Sequence, residues 1–133
     1  MLGDFTWNVM EKDLEGLAQR FKATSRNLAN VNTPGYERRN VSFEDQLRDV
    51  IDSGNKLKMT VTHSGHIPTR PHSVSDVTPV EIKVKDEVYR LDENNVDPER
   101  ELAVLSEARM MYGAMTRLAA RKAANYRAVI AGR

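Results

Sequence analysis

Three histidines are the side chains of this sequence best suited to bind a metal ion: His63, His66 and His72. Imidazole nitrogens are common zinc ligands, but a site needs a local scaffold that orients several of them together. The intervening residues include Gly65 and Pro68, which do not fit a helix that would orient the rings. The chain has no cysteine, so zinc–thiolate sites and disulfides are excluded. The sequence therefore predicts no metal site and no cofactor.

Residue patterns for acid–base or nucleophilic catalysis are also missing. The sequence has no G-x-S-x-G elbow, no glycine-rich phosphate loop and no H-E-x-x-H motif. Glu44 and Asp45 are adjacent carboxylates, but neighbours on a helix face different directions. A charged first helical turn explains this pair without any catalytic role. We therefore predict that the chain is not an enzyme.

The basic residues suggest nucleic-acid binding as an alternative. The candidates are Arg38, Arg39, Arg117, Arg121, Lys122 and Arg127. The chain has 20 Lys and Arg against 19 Asp and Glu, a net charge of +1, and no aromatic stacking platform accompanies the basic residues. We expect them to lie on a solvated face or to form ion pairs between subunits. A small helical regulatory or nucleic-acid-binding protein is the alternative function from a different class.

Long amphipathic helices are predicted at both ends of the chain, so the expected fold class is mainly α. The first helix is predicted from about Thr6 to Asn30. Its apolar positions recur three and four residues apart, as in a coiled-coil seam, and only Thr24 among them is polar. The seam positions are Trp7, Met10, Leu14, Leu17, Phe21, Thr24, Leu28 and Val31.

The last helix is predicted to begin at Asp97, an N-cap residue followed by Pro98, and to run to about Val129. It has two adjoining apolar stripes, which together are too broad for the first helix to cover. We predict coiled-coil packing between the two helices, with apolar surface left over for self-association or partner helices. The predicted assembly seam pairs Leu14, Leu17, Phe21 and Leu28 with Leu105, Met111, Met115 and Leu118.

A shorter helix and a small irregular or β-hairpin segment are predicted in the middle. The short helix begins near Ser42 and ends at Ser53, and its apolar residues share one face. Residues 54–96 contain three prolines and alternating stretches at 57–61 and 80–84. The second stretch is predicted to pair with residues 88–91. We expect residues 1–53 and 97–133 to form one helical axial domain, with 54–96 as a separate segment.

The stretch after the first helix is predicted to stop it sharply. Asn30 and Asn32 are suited either to cap the last turn or to adopt left-handed backbone. Pro34 disfavours helical geometry at Thr33. Residues 33–36 fit a type II turn, with proline at the second position and glycine, which accepts positive φ, at the third. The predicted signature turn comprises Asn27, Leu28, Ala29, Asn30, Asn32, Thr33, Pro34, Gly35 and Tyr36.

This turn also carries a family resemblance. The run Ala29-Asn30-Val31-Asn32-Thr33-Pro34-Gly35-Tyr36 resembles the N-terminal signature of the bacterial flagellar axial proteins, the rod and hook family. The continuation Arg38-Arg39-Asn40-Val41-Ser42-Phe43-Glu44 and the later run Asn94-Asn95-Val96-Asp97 are similar to the short rod proteins of the basal body. The resemblance covers both ends of the chain.

The resemblance implies a structural subunit of the proximal rod, the tubular drive shaft that also carries export. Subunits would assemble by heterologous helix packing into a helical array, with Tyr36 packed between them. The implied partners are other rod subunits, the basal-body membrane ring and the export gate, with no nucleic acid.

The implied location is the periplasmic part of the basal body. Residues 1–6 lack the basic and apolar regions of a cleaved signal, and no stretch is long and apolar enough to span a membrane. These features alone indicate a cytosolic protein. The resemblance instead implies export through the flagellar apparatus without a cleaved signal peptide.

Overall fold

The computed structural model describes residues 5–53, 73–85 and 91–132. In chain order the elements are helix α1 (Phe5–Ala29), strand β1 (Arg39–Ser42), helix α2 (Glu44–Ser53), a 3-10 turn (Val74–Asp76), strand β2 (Val80–Lys83) and helix α3 (Pro98–Ile130). The predicted mainly α class, with two long terminal helices, a short helix and a little β-structure, is confirmed.

The two long helices pack against each other. Near one end of the pair, Asn27 of α1 contacts Glu101 of α3. Further along, Leu17 and Phe21 line a shallow apolar groove with Ala108 of α3. Lower numbers on α1 thus face higher numbers on α3, so the helices are antiparallel.

A second layer, formed by β1 and α2, covers one side of this helix pair. Its central residue is Phe43, whose ring lies directly against Gly16 of α1. A β-carbon added at Gly16 would lie 2.5 Å from that ring, so the glycine permits the close approach. Phe43 belongs to a buried apolar cluster with Leu17, Ala23 and Val41, and Met115 of α3 packs against it.

Arg20 joins the two layers by polar contacts. Its guanidinium lies 5.1 Å from the Phe43 ring centroid and donates to the Val41 carbonyl at 2.9 Å and to Glu44 at 2.6 Å. Burial acts to raise the pKa of the Glu44 carboxyl, but hydrogen bonds and the charge of Arg20 outweigh it and hold this pKa below its usual 4.5. Glu44 is therefore ionised and paired at neutral pH.

A second apolar cluster lies between α2 and the 3-10 turn. It contains Leu47, Val50, Val74 and Val77, all buried, and Val9 of α1 packs against it. Ser73 and Asp76 form a capping box at the start of the 3-10 turn. Part of the middle segment therefore packs on the helices.

The sheet has two antiparallel strands, with Arg39 opposite Lys83 and Ser42 opposite Val80. The strand predicted at residues 80–84 is confirmed as β2. Its partner in the structure is β1, which the sequence did not mark as a strand. Residues 57–61 and 88–90 lie outside the described part of the chain, so those strand predictions stay untested.

Helix α3 begins as predicted. The Asp97 carboxylate accepts hydrogen bonds from the backbone nitrogens of Glu99 and Arg100, and Pro98 occupies the first helical turn. Across the ranges that the structure describes, no helix is both long and apolar enough to cross a membrane. Within those ranges there is also no group of three metal-ligating side chains. His63, His66 and His72 lie outside them.

Candidate functional site: a buried polar junction beside the signature turn

The signature turn has the backbone geometry expected of its sequence. The Tyr36 nitrogen donates to the Thr33 carbonyl at 3.3 Å, and Gly35 has a φ of 67°. The Gly35 nitrogen also donates to the Asp92 carbonyl at 2.7 Å, which joins the turn to the chain before α3. Glycine accepts this φ without steric cost, whereas a β-branched residue does not.

Asn30 caps the end of α1 with its side chain. Its amide donates to the Arg26 carbonyl at 2.8 Å, and its side-chain oxygen accepts from the Thr33 hydroxyl at 3.1 Å. Glu93 is the one non-glycine residue with positive φ in the described ranges. Of the two alternatives for Asn30, the structure therefore selects capping over left-handed backbone. Asn32 is exposed.

Asn94 ties the turn to the segment that precedes α3. It is 0% exposed, and its amide lies 2.8–3.1 Å from three backbone carbonyls, those of Asn30, Val31 and Thr33. Its side-chain oxygen accepts from the Val96 nitrogen at 2.8 Å. One side chain thus bonds both the end of α1 and the turn, and ties them to the segment before α3.

Asn27 occupies the centre of the contact between α1 and α3. It is 0% exposed, and its amide donates to Glu101 at 2.9 Å and to the Arg39 carbonyl at 2.7 Å. Its side-chain oxygen accepts from the Tyr36 hydroxyl at 3.1 Å and from the Arg39 nitrogen at 3.0 Å. All four hydrogen-bonding positions of the amide are filled, as a buried asparagine requires.

Burial raises the pKa of the Tyr36 hydroxyl, although the nearby Arg39 and Arg26 act to lower it. The hydroxyl therefore stays protonated at neutral pH and can donate to Asn27.

Glu101 and Arg38 form a buried ion pair in the same place. Their side chains are 1% and 6% exposed, and the Arg38 Nε donates to Glu101 Oε1 at 2.6 Å. The second carboxylate oxygen of Glu101 accepts from Asn27. Two buried charges are tolerable here because each is paired and hydrogen-bonded.

Asn95 completes the set. Its side-chain oxygen accepts from the Arg38 nitrogen at 2.7 Å, and its amide donates to the Val84 carbonyl at 2.7 Å. We call the buried side chains Asn27, Arg38, Asn94, Asn95 and Glu101 the polar junction. The junction connects the end of α1, the start of β1, the end of β2 and the start of α3.

Sequence reasoning missed most of this junction. Arg38 was expected on a solvated face or in ion pairs between subunits, but it is buried and bonded to Glu101 of its own chain. The pairing joins residues 63 positions apart, which no local pattern indicates. The run of two asparagines before Asp97 was the one available signal, since asparagine side chains commonly satisfy backbone groups near helix ends.

The other described basic residues are more exposed than Arg38. Arg39 donates to Glu81 at 2.8 Å, and Arg26 donates to the same carboxylate at 3.0 Å. Arg117, Arg121 and Arg127 are exposed on the second half of α3. Arg26, Arg38 and Arg39 are thus bonded to acidic side chains of their own chain.

The predicted seam residues are unevenly buried within one chain. Leu17 is 2% exposed, and Met115 packs against its cluster. Leu14, Leu28 and Leu105 are half-buried. The remaining three seam residues are 43–51% exposed, namely Phe21, Met111 and Leu118. Their pairing stays a prediction.

Five residues of the signature turn are exposed, namely Ala29, Asn32, Thr33, Pro34 and Gly35. Tyr36 is half-buried against Asn27. The turn therefore presents a rim of small and polar groups over the buried junction. Its packing between subunits stays a prediction.

No protein-family model matches the chain. Individual curated proteins do. The flagellar basal body rod protein FlgB of Salmonella typhimurium is 33% identical over 99 residues, which cover 71% of this chain and 70% of that protein. The chain belongs to the FlgB family. FlgB of Yersinia enterocolitica is 32% identical over 99 residues, 71% of each chain. FlgB of Borreliella burgdorferi is 30% identical over 110 residues, 80% of this chain and 82% of that protein.

Membership of the FlgB family agrees with the described geometry. The junction is built of asparagines and one ion pair that are satisfied within the chain, which is a positioning arrangement. Neither the described structure nor these FlgB relatives supports the alternative of a regulatory or nucleic-acid-binding protein.

Proposed function

We propose that this chain is a structural subunit of the flagellar basal-body rod. The main support for this proposal is the similarity of the chain to proteins named as basal body rod protein FlgB, 33% identical over 71% of the chain. The polar junction supports a structural role, because its side chains bond to groups of the same chain and fix how the two long helices meet.

The second half of α3 supports assembly. We call residues 116–130 the distal half of α3; none of them is fully buried. Its large apolar side chains include Leu118 at 51% exposure, Tyr126 at 45%, Val129 at 79% and Ile130 at 85%. Exposed apolar surface of this extent indicates an interaction site. A contact between two different surfaces of successive subunits would propagate as a helical array, the geometry of a rod.

The finer elements of the proposal follow from the same surfaces. The exposed seam residues Phe21, Met111 and Leu118 would meet helices of neighbouring subunits, and the signature turn would set the angle at which they do so. Other rod subunits, the membrane ring and the export gate are the proposed partners. The proximal, periplasmic rod is the proposed location, reached through the flagellar export apparatus.

Purification of basal bodies tests this function. Detergent-extracted basal bodies, freed of hook and filament, should contain the chain, detected by immunoblot after sedimentation. Cells whose export apparatus is inactive are the control and should retain the chain in the cytoplasm. Intact basal bodies that lack the chain while it remains soluble would contradict the proposal.

A further inference from the structure

The distal half of α3 combines exposed apolar side chains with charge of one sign. From Ala108 to Ile130 the sequence has five basic residues and no acidic one. At helical spacing, one stripe about 120° wide holds Ala128 and five larger residues. These five are Arg117, Leu118, Arg121, Asn125 and Val129, and all are exposed. This basic stripe fits an acidic surface.

Helix α2 offers such a surface on a different element. Four of its ten residues are acidic and one is basic. Asp45, Asp49 and Asp52 are exposed and lie within about 60° of arc. The three carboxylates extend over about 10 Å of the helix axis, within the roughly 18 Å length of the basic stripe.

We propose that the basic stripe of α3 docks on this acidic face of α2 in a second copy of the chain. The inference rests on the proposed assembly function and specifies one of its contacts. The whole chain has 20 basic and 19 acidic residues, so its charges nearly balance, yet these two surfaces are oppositely charged. A second copy therefore supplies the charge that the stripe attracts.

The proposed contact is heterologous. The stripe and the acidic face are different surfaces, so each copy that has used one of them still offers the other. Addition of copies can then continue in one direction. The exposed apolar residues Leu118 and Val129, at one edge of the stripe, would be buried beside the charges, which fix register and orientation.

A basic amphipathic helix also suits an anionic membrane surface. The second copy is favoured because the acidic face of α2 complements the stripe, whereas anionic lipid would repel that face. Vesicles of anionic phospholipid therefore serve as the competing probe in the test.

Charge reversal tests the contact in the purified full-length chain by sedimentation velocity over a range of protein and salt concentrations. Arg117→Glu with Arg121→Glu should raise the dissociation constant of self-association by more than about tenfold, because like charges then face each other. Asp45→Lys with Asp52→Lys should do the same. All four side chains are exposed, so circular dichroism should show no loss of helix.

A matched control and a mixture sharpen the test. Glu11→Lys with Glu15→Lys changes the net charge by as much as Asp45→Lys with Asp52→Lys, but on an exposed pair of α1. It should leave self-association unchanged. Mixing the two reversed variants should restore association, since the acidic stripe of one then meets the basic α2 of the other. Rising salt should weaken association of the unmodified chain.

Three results would overturn this contact: a chain that is monomeric at its solubility limit, reversed variants that associate normally, or vesicle binding in place of self-association. A chain found in basal bodies despite such a result keeps the rod function and loses only this contact. If association is instead restored in the mixture but the chain is absent from basal bodies, the contact stands and the proposed rod function is wrong.

Discussion

The two halves of α3 differ in where their side chains find partners. At the start of the helix, Glu101 is 1% exposed and bonded to Arg38 and Asn27 of the same chain. In the distal half no residue is fully buried, and Val129 and Ile130 are 79% and 85% exposed. The start of the helix is thus fixed by its own chain, although Leu102 and Met110 further along the first half are also 54% and 69% exposed, whereas the distal half has no buried residue to anchor it.

The physical consequence is a difference in stability along one helix. A buried polar network whose members are all satisfied rigidifies its surroundings and specifies one arrangement. A helix segment without buried apolar contacts has little tertiary support, and isolated helical segments are marginal in water. We therefore expect the junction to be folded before assembly and the distal half to gain most of its order from neighbours.

The largest effect is expected from breaking the junction. Glu101→Gln removes the charge that pairs with buried Arg38 and should lower the free energy of unfolding by about 3–5 kcal/mol. Urea denaturation followed by circular dichroism measures the change. Glu99→Gln, on the exposed side of the same helical turn, is the control. A loss below about 1 kcal/mol, the range of surface pairs, would contradict the structural role of the pair.

The next largest effect on stability is expected from a packing change at Gly16. The added β-carbon of Gly16→Ala would lie 2.5 Å from the Phe43 ring. Overpacking of this kind costs about 1–3 kcal/mol. At Gly113 of α3 the nearest atom to an added β-carbon is the flexible end of Arg117 at 3.4 Å. Gly113→Ala should therefore stabilise the helix by up to about 1 kcal/mol. Thermal unfolding of both variants checks the contrast, and equal melting temperatures would refute it.

The signature turn should be sensitive at one backbone position. Gly35 has a φ of 67°, so Gly35→Val should destabilise the turn by about 1–2 kcal/mol and impair incorporation into the rod. Gly132 has the same φ beyond the end of α3, and nothing lies within 4 Å of an added β-carbon at either glycine. Gly132→Val carries the same backbone strain, but outside the signature turn, so it should leave the turn and incorporation into the rod unchanged. Swimming assays and basal-body immunoblots compare them; normal rods with Gly35→Val would count against the role of the turn.

These contrasts also show which features the sequence could predict. Local signals sufficed for Asp97 and Pro98 at the start of α3 and for the glycine of the turn, because each acts on its own backbone. The seam pattern predicted that the long helices pack, because amphipathic periodicity depends only on helix geometry. The contacts of Arg38 with Glu101 and of Asn94 with the turn join residues more than 60 positions apart. Such contacts depend on how the whole chain folds. The sequence around these residues does not distinguish them from exposed residues, so it could not predict the contacts.

The pairing of β1 with β2 illustrates the same limit. Residues 80–84 alternate in the manner of a strand, but β1 is only four residues long, and three of its residues are polar. Glu81 bonds the Arg39 side chain. The Asn27 side-chain oxygen accepts from the Arg39 backbone nitrogen, and the Asn95 side-chain oxygen accepts from that of Arg38. These bonds hold the start of β1 in strand geometry. Tertiary contacts therefore decide this strand, and local β-propensity does not.

A more exposed ion pair should contribute less to stability than the buried pair of Glu101 and Arg38. Glu44 pairs with Arg20, but its side chain is 43% exposed, so Glu44→Gln should cost about 1 kcal/mol or less at pH 7. The folded-state pKa of Glu44 is lowered, so its contribution is present above pH 4.5 and is lost as the pH falls through the folded pKa. Unfolding curves at several pH values should show the variant and the unmodified chain converging in acid. A gap that persists in acid would assign the effect to packing.

The smallest effect on stability is expected in the distal half of α3. Leu118→Asp and Val129→Asp should each change the free energy of unfolding by no more than about 0.5 kcal/mol, because both side chains are largely exposed. Leu17→Asp, at 2% exposure, should unfold the chain and is the contrast. The exposed variants should nevertheless fail to enter the rod. Marked destabilisation by either would show that the distal half is packed within its own chain.

Amide hydrogen exchange of the verified monomer, read by mass spectrometry, tests the central difference most directly. We expect slow exchange at the end of α1, in the turn and at the start of α3, and fast exchange over residues 116–130. The distal amides should become protected when the chain assembles. Uniformly slow exchange along α3 in the monomer would contradict this expectation, as would fast exchange at the junction.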